Sequence, residues 1–348
     1  MKRIYLTVLL CALISTLFPL VSADRGGIPI TPGVSIYEPG QKAIIAWNGQ
    51  EEILILSTDV RSSQETMVLE ILPLPSRPEV EGASFQAFER LQEMIWEEGL
   101  DRYMFGTKDN ARQGSVEVLF HEEIGAHNIT VVMASDAVDL IIWTNTFLSA
   151  SGVSQNITLG SFQTVIEEYV NRGFKHYALD LVTFRPQEKS TNPILYRFNS
   201  TTLYYPLLIT SPVGGDGKIT LFTLTEEKLE HPYWALNLAY YQTSQGLWQP
   251  IQFTLSKGEL SRIDLRLSEL MPDGAWLSVL TYEGPLGLLN RDLMIAEEDF
   301  SSADGNPPPT VMISLPADIV VLCFLLGAVS ALAGVAVAFL IVHMRNKK

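Results

Sequence analysis

His121-Glu-Glu-Ile-Gly-Ala-His127 is the first stretch whose residue types suggest chemistry, because two imidazoles flanking two carboxylates are a metal-binding composition. A helical zinc motif needs its histidines four apart so that they share a face; these are six apart, about 240° round a helix. On a continuous strand a spacing of six does share a face, but Gly125 predicts a turn between two strands, with both histidines as surface hairpin residues. His176 and Asp180 have the same parity on a strand and are of the types a hydrolase relay uses, yet four residues of strand separate them by roughly 13 Å. They cannot pair directly. No Gly-x-Ser-x-Gly elbow, Walker loop or dinucleotide fingerprint is present. Carboxylates are plentiful, but a glycosidase pair is defined by separation in space. The sequence therefore names no catalytic residue, no cofactor and no metal ligand. Two function classes follow: a noncatalytic surface module that binds a ligand or an envelope or surface protein, and an extracytoplasmic hydrolase whose carboxylate or His/Asp site assembles only in the fold.

Three sequons, Asn128-Ile-Thr130, Asn156-Ile-Thr158 and Asn199-Ser-Thr201, fit the N-glycosylation pattern, Asn128 least well because it enters a strand. A net charge of -15 on 348 residues argues against nonspecific phosphate binding, and no Lys/Arg cluster supplies a nucleic-acid footprint. An apolar fraction of 47% with 18% charged residues excludes disorder and leaves a folded domain.

Both ends carry targeting signals. Lys2 and Arg3 precede an apolar run from Ile4 to Val21, and Val21-Ser22-Ala23 offers the small residues of a cleavage site, so residues 1–23 read as a signal peptide. Leu10 stands where a lipoprotein signal around Cys11 would need a small residue. Residues 319–342, Ile319 to Val342, contain no charge and are long enough for a ~30 Å hydrocarbon core as a transmembrane helix. Arg345, Lys347 and Lys348 follow it, which places the tail, 343–348, in the cytoplasm and the N-terminal bulk outside. Within the span, Ser330, Gly334 and Ala338 recur every four residues, the small-residue spacing that lets helices associate closely and also a common filler in single spans, so this row is the candidate seam for self-association. What lies between is acidic, about -19 over residues 24–317. Cys11 falls in the signal and Cys323 in the span, which excludes disulfides, thiolate zinc sites and cysteine nucleophiles from the ectodomain.

The elements that must position any site are mostly strands. Lys42 to Trp47 and Glu52 to Leu56 flank Asn48-Gly49, which predicts a β-hairpin with a type I′ turn. Met67 to Leu72 reads as a third strand, and Pro73, Pro75 and Pro78 force an extended connection. Helices are expected at Ser84 to Glu98, with Ser84 as N-cap and Phe85, Phe88, Leu91 and Ile95 on one stripe, and at Ala137 to Leu148. A third carries Phe162, Val165, Ile166, Tyr169 and Val170, ending at Gly173. Further strands are expected at Ser115 to Phe120, Asn128 to Met133, Phe174 to Phe184 and Ile194 to Phe198. Leu203 to Ile209 and Lys218 to Leu224 join them, paired through the turn Gly214 to Gly217 and with Pro206 at a sheet edge, as do Arg262 to Leu267 and Ala275 to Leu280. The fold class is α+β: a β-rich ectodomain over residues 24–300, mainly antiparallel, with about three helices on one sheet face, plus the C-terminal transmembrane helix. A subdivision near 228–231 fits the composition. Residues 301–318, with three consecutive prolines, read as a stalk.

Several of these segments resemble one family. Pro39-Gly-Gln-Lys-Ala-Ile-Ile45, Leu72-Pro-Leu-Pro-Ser-Arg-Pro-Glu-Val80 leading into Phe88 and Leu91, and Glu168-Tyr-Val-Asn-Arg-Gly-Phe174 are similar to the prokaryotic family called domain of unknown function 2330. Trp276 to Leu280, followed by Asp292-Leu293, looks like that family's closing pattern. The resemblance covers about residues 24–298, although many relatives are richer in cysteine near the N-terminus. It implies a prokaryotic cell-surface setting and transfers no chemistry.

Overall fold

The computed structural model describes residues 28–29, 36–62, 65–98, 120–124, 127–153, 161–184, 192–229, 233–242 and 248–296. The signal segment, the stalk, the span with Ser330, Gly334 and Ala338, and the sequon at Asn156 lie outside the described residues. In chain order the first strands are β1 (Ile28–Pro29), β2 (Ile36–Trp47), β3 (Glu51–Ser62), β4 (Thr66–Leu74) and β5 (Glu79–Gly82), followed by helix α1 (Phe85–Glu97). Then come β6 (Phe120–Ile124), β7 (His127–Met133), α2 (Ala137–Ala150), α3 (Ser161–Asn171), β8 (His176–Phe184), β9 (Ile194–Asn199) and β10 (Thr202–Tyr205). A 3-10 turn (Leu208–Val213) leads to β11 (Asp216–Thr225), and the short strands β12 (Asn237–Leu238), β13 (Tyr240–Gln242), β14 (Trp248–Pro250) and β15 (Gln252–Leu255) follow. The last elements are α4 (Lys257–Ile263), α5 (Leu265–Leu270), β16 (Ala275–Pro285) and β17 (Leu293–Ala296).

Two large sheets dominate. The eight-stranded one runs β12-β16-β11-β2-β3-β9-β5 with β15 also on β16; the five-stranded one runs β1-β4-β8-β7-β6. The fold is thus mixed α+β, strand-rich and mainly antiparallel, as its sequence predicts. A parallel pair, β2 with β11, sits at the centre of the larger sheet, where both of its faces are covered. Alternation along the β2–β3 hairpin decides what each face meets. Ala43, Ile45, Trp47, Leu54 and Leu56 enter a core shared with β4, β7, β8, α2 and α3. Ile44, Ala46, Ile53 and Ile55 enter a second core with α1, α4 and α5.

Several expectations need correction. Helices number five among the described residues, not three, and they contribute to both cores. The segment Arg262 to Leu267 is helical. Ser256 and Glu259 form a capping box that starts α4, and Asp264 ends it and caps α5, its side chain accepting from Arg266 N–H. Leu260, Ile263, Leu267 and Leu270 are buried at helical spacing, which the apparent alternation masked. Strand β10 stops at Tyr205, before Pro206, and pairs with β17; β11 pairs with β2 and β16, so Gly214 to Gly217 does not close a hairpin between β10 and β11. The Asn48-Gly49 hairpin forms, but with Trp47 opposite Glu52, and of its turn residues only Gly49 has a positive φ, +87°. Asn48 Oδ1 accepts from Gln50 and Glu51 N–H, an Asx-type closure in place of the two-residue type I′ turn. Strands from both sides of 228–231 share the large sheet, and one compact unit holds every described residue.

Candidate functional site

Tyr169 follows from the apolar stripe of α3, which carries it into the core at 0% exposure. The helix ends in a Schellman arrangement: Gly173 N–H bonds Val170 C=O and Phe174 N–H bonds Tyr169 C=O, with Gly173 at φ +88°. That geometry leaves Arg172 at the helix terminus, its guanidinium 5.2 Å from the ring centroids of both Tyr169 and Phe174. Asp292, just before β17, meets this end. Its Oδ1 accepts from Tyr169 Oη at 2.6 Å and from Leu208 N–H at 3.0 Å. Arg172 Nη2 stands 2.8 Å from Oδ2, an ion pair whose alignment falls short of a hydrogen bond. Burial lifts the Asp292 carboxyl above its usual range, against the opposing pull of Tyr169, Leu208 and Arg172. Burial, and then the Asp292 charge, push the Tyr169 hydroxyl well up, so it remains a donor.

Above this floor lies a cleft of about 450 Å³ lined by Glu168, Arg172, Trp234, Asn290, Arg291 and Asp292, with Leu207, Leu208 and Leu293 as an apolar bed. Trp234 is the one non-glycine with positive φ among the described residues, at +46°, and is 40% exposed. A bulky side chain in that region is strained, and such strain persists only where the surroundings over-determine it. Here a turn closed by Leu236 N–H to Tyr233 C=O and the Arg291 guanidinium, 4.7 Å from the ring centroid, hold it. Sequence reasoning placed Tyr169 in a core stripe and set Asp292 apart only within a family-like segment; Trp234 and Arg291 carried no signal.

The other residues weighed from sequence separate in space. Asp180 pairs not with His176 but with His127, Nδ1 to Oδ2 at 2.5 Å, across neighbouring strands β7 and β8. Both are sealed from solvent, and Glu70 lies opposite Asp180 on the same sheet face. A hydrolase relay needs an open nucleophile beside the imidazole, and His127 Nε2 is buried without a hydrogen-bond partner. His127 is therefore a core residue rather than the surface hairpin residue its sequence suggests. His176 opens β8 opposite Met133, and burial, then Arg77 and Lys175, lower its pKa. No group of three or more His, Cys, Asp or Glu among the described residues could hold a metal. Asn128 is fully buried in β7, while Asn199 is exposed at the end of β9.

A second buried carboxyl supports the site from beneath. Glu52 accepts from Tyr204 N–H at 2.7 Å, and burial raises its pKa well above the ordinary range. Tyr204 in turn donates its hydroxyl to Pro73 C=O at 3.0 Å and packs its ring on Phe174, the same ring the Arg172 guanidinium contacts, so β10 is tied to both sheets beside Arg172.

A family profile described as an uncharacterised protein conserved in bacteria, domain of unknown function 2330, matches residues 22–240. No curated protein matches. Among solved structures, baculovirus P35 is similar at 9% identity over 75% of this chain and 96% of that one, TM-score 0.39. A mutated baculovirus P35 after caspase cleavage is similar at 10% identity over 74% and 98%, TM-score 0.40. Scores that low carry no argument about this chain.

Proposed function

The chain belongs to the domain of unknown function 2330 family of bacterial proteins, and from that premise we propose that it is a membrane-anchored extracytoplasmic module, noncatalytic, that binds a ligand in the cleft around Trp234. The anchor rests on the apolar run at 319–342 and its basic tail, the export on residues 1–23. The observation that carries the binding role is Trp234 itself: an exposed aromatic held at a strained φ over a cleft with a charged floor is what recognition requires and what folding alone disfavours. Full-length protein in lipid nanodiscs tests it, the emission difference between wild type and Trp234→Phe reporting this residue alone. Small neutral, cationic and anionic compounds should include one class that shifts the difference saturably, and silence from all three overturns the reading. Protease added to intact protoplasts should digest the ectodomain, and full protection overturns the topology.

A hydrolase remains the second reading because Glu168 and Asp292 line one cleft. Against it, Asp292 Oδ1 already accepts two hydrogen bonds and Oδ2 faces Arg172. Turnover of a chromogenic glycoside that Asp292→Asn abolishes would favour it over the binding role.

A further inference from the structure

The cleft has a chemistry specific enough to name a ligand class. Arg291 is exposed, and its only partner among the described residues is the Trp234 ring, so none of its N–H donors is taken by a described residue. Arg172 uses Nη2 on Asp292 and on Met294 Sδ; its Nε and Nη1 have no protein acceptor among the described residues. One guanidinium with its fork facing the cleft and a second with Nε and Nη1 left over favour an anion, which Arg binds through charge-assisted hydrogen bonds. They disfavour a cationic ligand. Glu168 works against a bare anion: it is exposed on the same wall, has no side-chain partner among the described residues, and would repel a second negative charge while accepting from a hydroxyl. Asn290 adds an amide that can donate and accept. Trp234 lines the cleft with the Arg291 guanidinium over one face of its aromatic ring, and the leucines beneath are hydrocarbon. The occupant must therefore carry an anionic group at one end, hydroxyls along its length and a C–H face.

We propose that the cleft binds a sugar bearing an anionic group, a uronic-acid carboxylate or a sugar phosphate, with the anion on the Arg291 fork and a single remaining donor of Arg172, hydroxyls on Glu168 and Asn290, and the sugar's C–H face against Trp234 and the leucines. This rests on the reading of the cleft as a ligand seat. The volume of about 450 Å³ lies at the small-molecule end of the range for such sites. Asp292 lines the cleft but turns its carboxylate inward, on Tyr169, Leu208 and Arg172, where it fixes the guanidinium that the ligand meets.

Titration calorimetry on the full-length protein in nanodiscs of zwitterionic lipid, with glucuronate, glucose 1-phosphate, glucose and inorganic phosphate, tests this. One or both anionic sugars should bind, glucose roughly tenfold or more weakly, because charge-assisted bonds to Arg are lost. Which anionic sugar binds separates the carboxylate source from the phosphate source. Arg291→Met should reduce binding of the anionic sugar to the level of glucose while the protein still unfolds in a single cooperative transition, since the side chain is exposed. Glucose binding as tightly as glucuronate and glucose 1-phosphate overturns the anionic requirement. Inorganic phosphate binding as tightly as glucose 1-phosphate, with glucuronate inert, overturns the sugar. If neither anionic sugar binds while a neutral or cationic compound shifts Trp234 emission, this inference fails and the cleft still binds a ligand; if nothing shifts that emission, both fail.

Discussion

Asp292 and Glu52 are two buried carboxyls with opposite circumstances, and substitution should distinguish them. Asp292 is surrounded by donors, so removing one leaves a charged or polar oxygen underpaired. Tyr169→Phe should cost about 1–3 kcal/mol, read as a lower unfolding free energy in urea. Glu52 has one donor, Tyr204 N–H, and its other oxygen is buried without a partner, so its neutral form suits the site. Its folded pKa lies above its unfolded value. Stability from that shift is complete below the unfolded value, about 4.3, and is lost as pH rises through the folded value. Glu52→Gln keeps an acceptor for Tyr204 and cannot ionise. The difference in melting temperature between Glu52→Gln and wild type should therefore grow in the variant's favour as pH rises; a difference that stays constant with pH would show that Glu52 does not titrate in the fold. Neither role was legible in the sequence. Tyr169 is visible as one residue of an apolar stripe, but its hydroxyl finds Asp292 123 positions away, and no local pattern encodes a partner at that distance.

Elements were legible where one period ran cleanly. The stripe of α1 and its Ser84 cap, the stripe of α3 with Gly173 beyond it, and the β2–β3 hairpin follow from spacing and turn chemistry that act within a few residues. The stretch from Ser256 to Leu270 was not, because two short helices abut at Asp264, whose extended backbone resets the phase and makes apolar residues seem to alternate. Its capping box was the missed signal. Ser256→Ala should destabilise the protein by about 1 kcal/mol, measured by chemical denaturation, since Glu259 N–H loses its acceptor and the Ser256–Glu259 contact disappears. Gly274 closes the turn before β16 at φ +96°, where an added Cβ would stand 2.5 Å from Leu255 C=O. Gly274→Ala should therefore cost more than about 1 kcal/mol and release the β15–β16 pairing, visible as faster hydrogen exchange at Phe253 and Leu255.

At the scale of the whole molecule, the family match and the fold have different limits. The matched residues end at 240, yet β16 pairs with β11 along its full length, from Asp216 opposite Pro285 to Thr225 opposite Trp276, and Asp292 holds the cleft floor. A chain stopped at residue 240 should be recovered without cooperative unfolding, whereas one stopped at 300 should melt in a single transition. For the span, we propose that the row Ser330, Gly334, Ala338 mediates self-association, and Gly334→Ile should abolish it in mild detergent without preventing insertion. The parallel pair at the sheet's centre has a further consequence, in time rather than in space. Ile44 finds its neighbour Phe222 only after most of the chain has been made, so contact order is high and closure is late. A chain delivered N-terminus first therefore carries β2 as an open, apolar edge through most of its own synthesis, and such an edge templates aggregation. Recovery of the folded protein should therefore depend on how well that edge is shielded until β11 has been made.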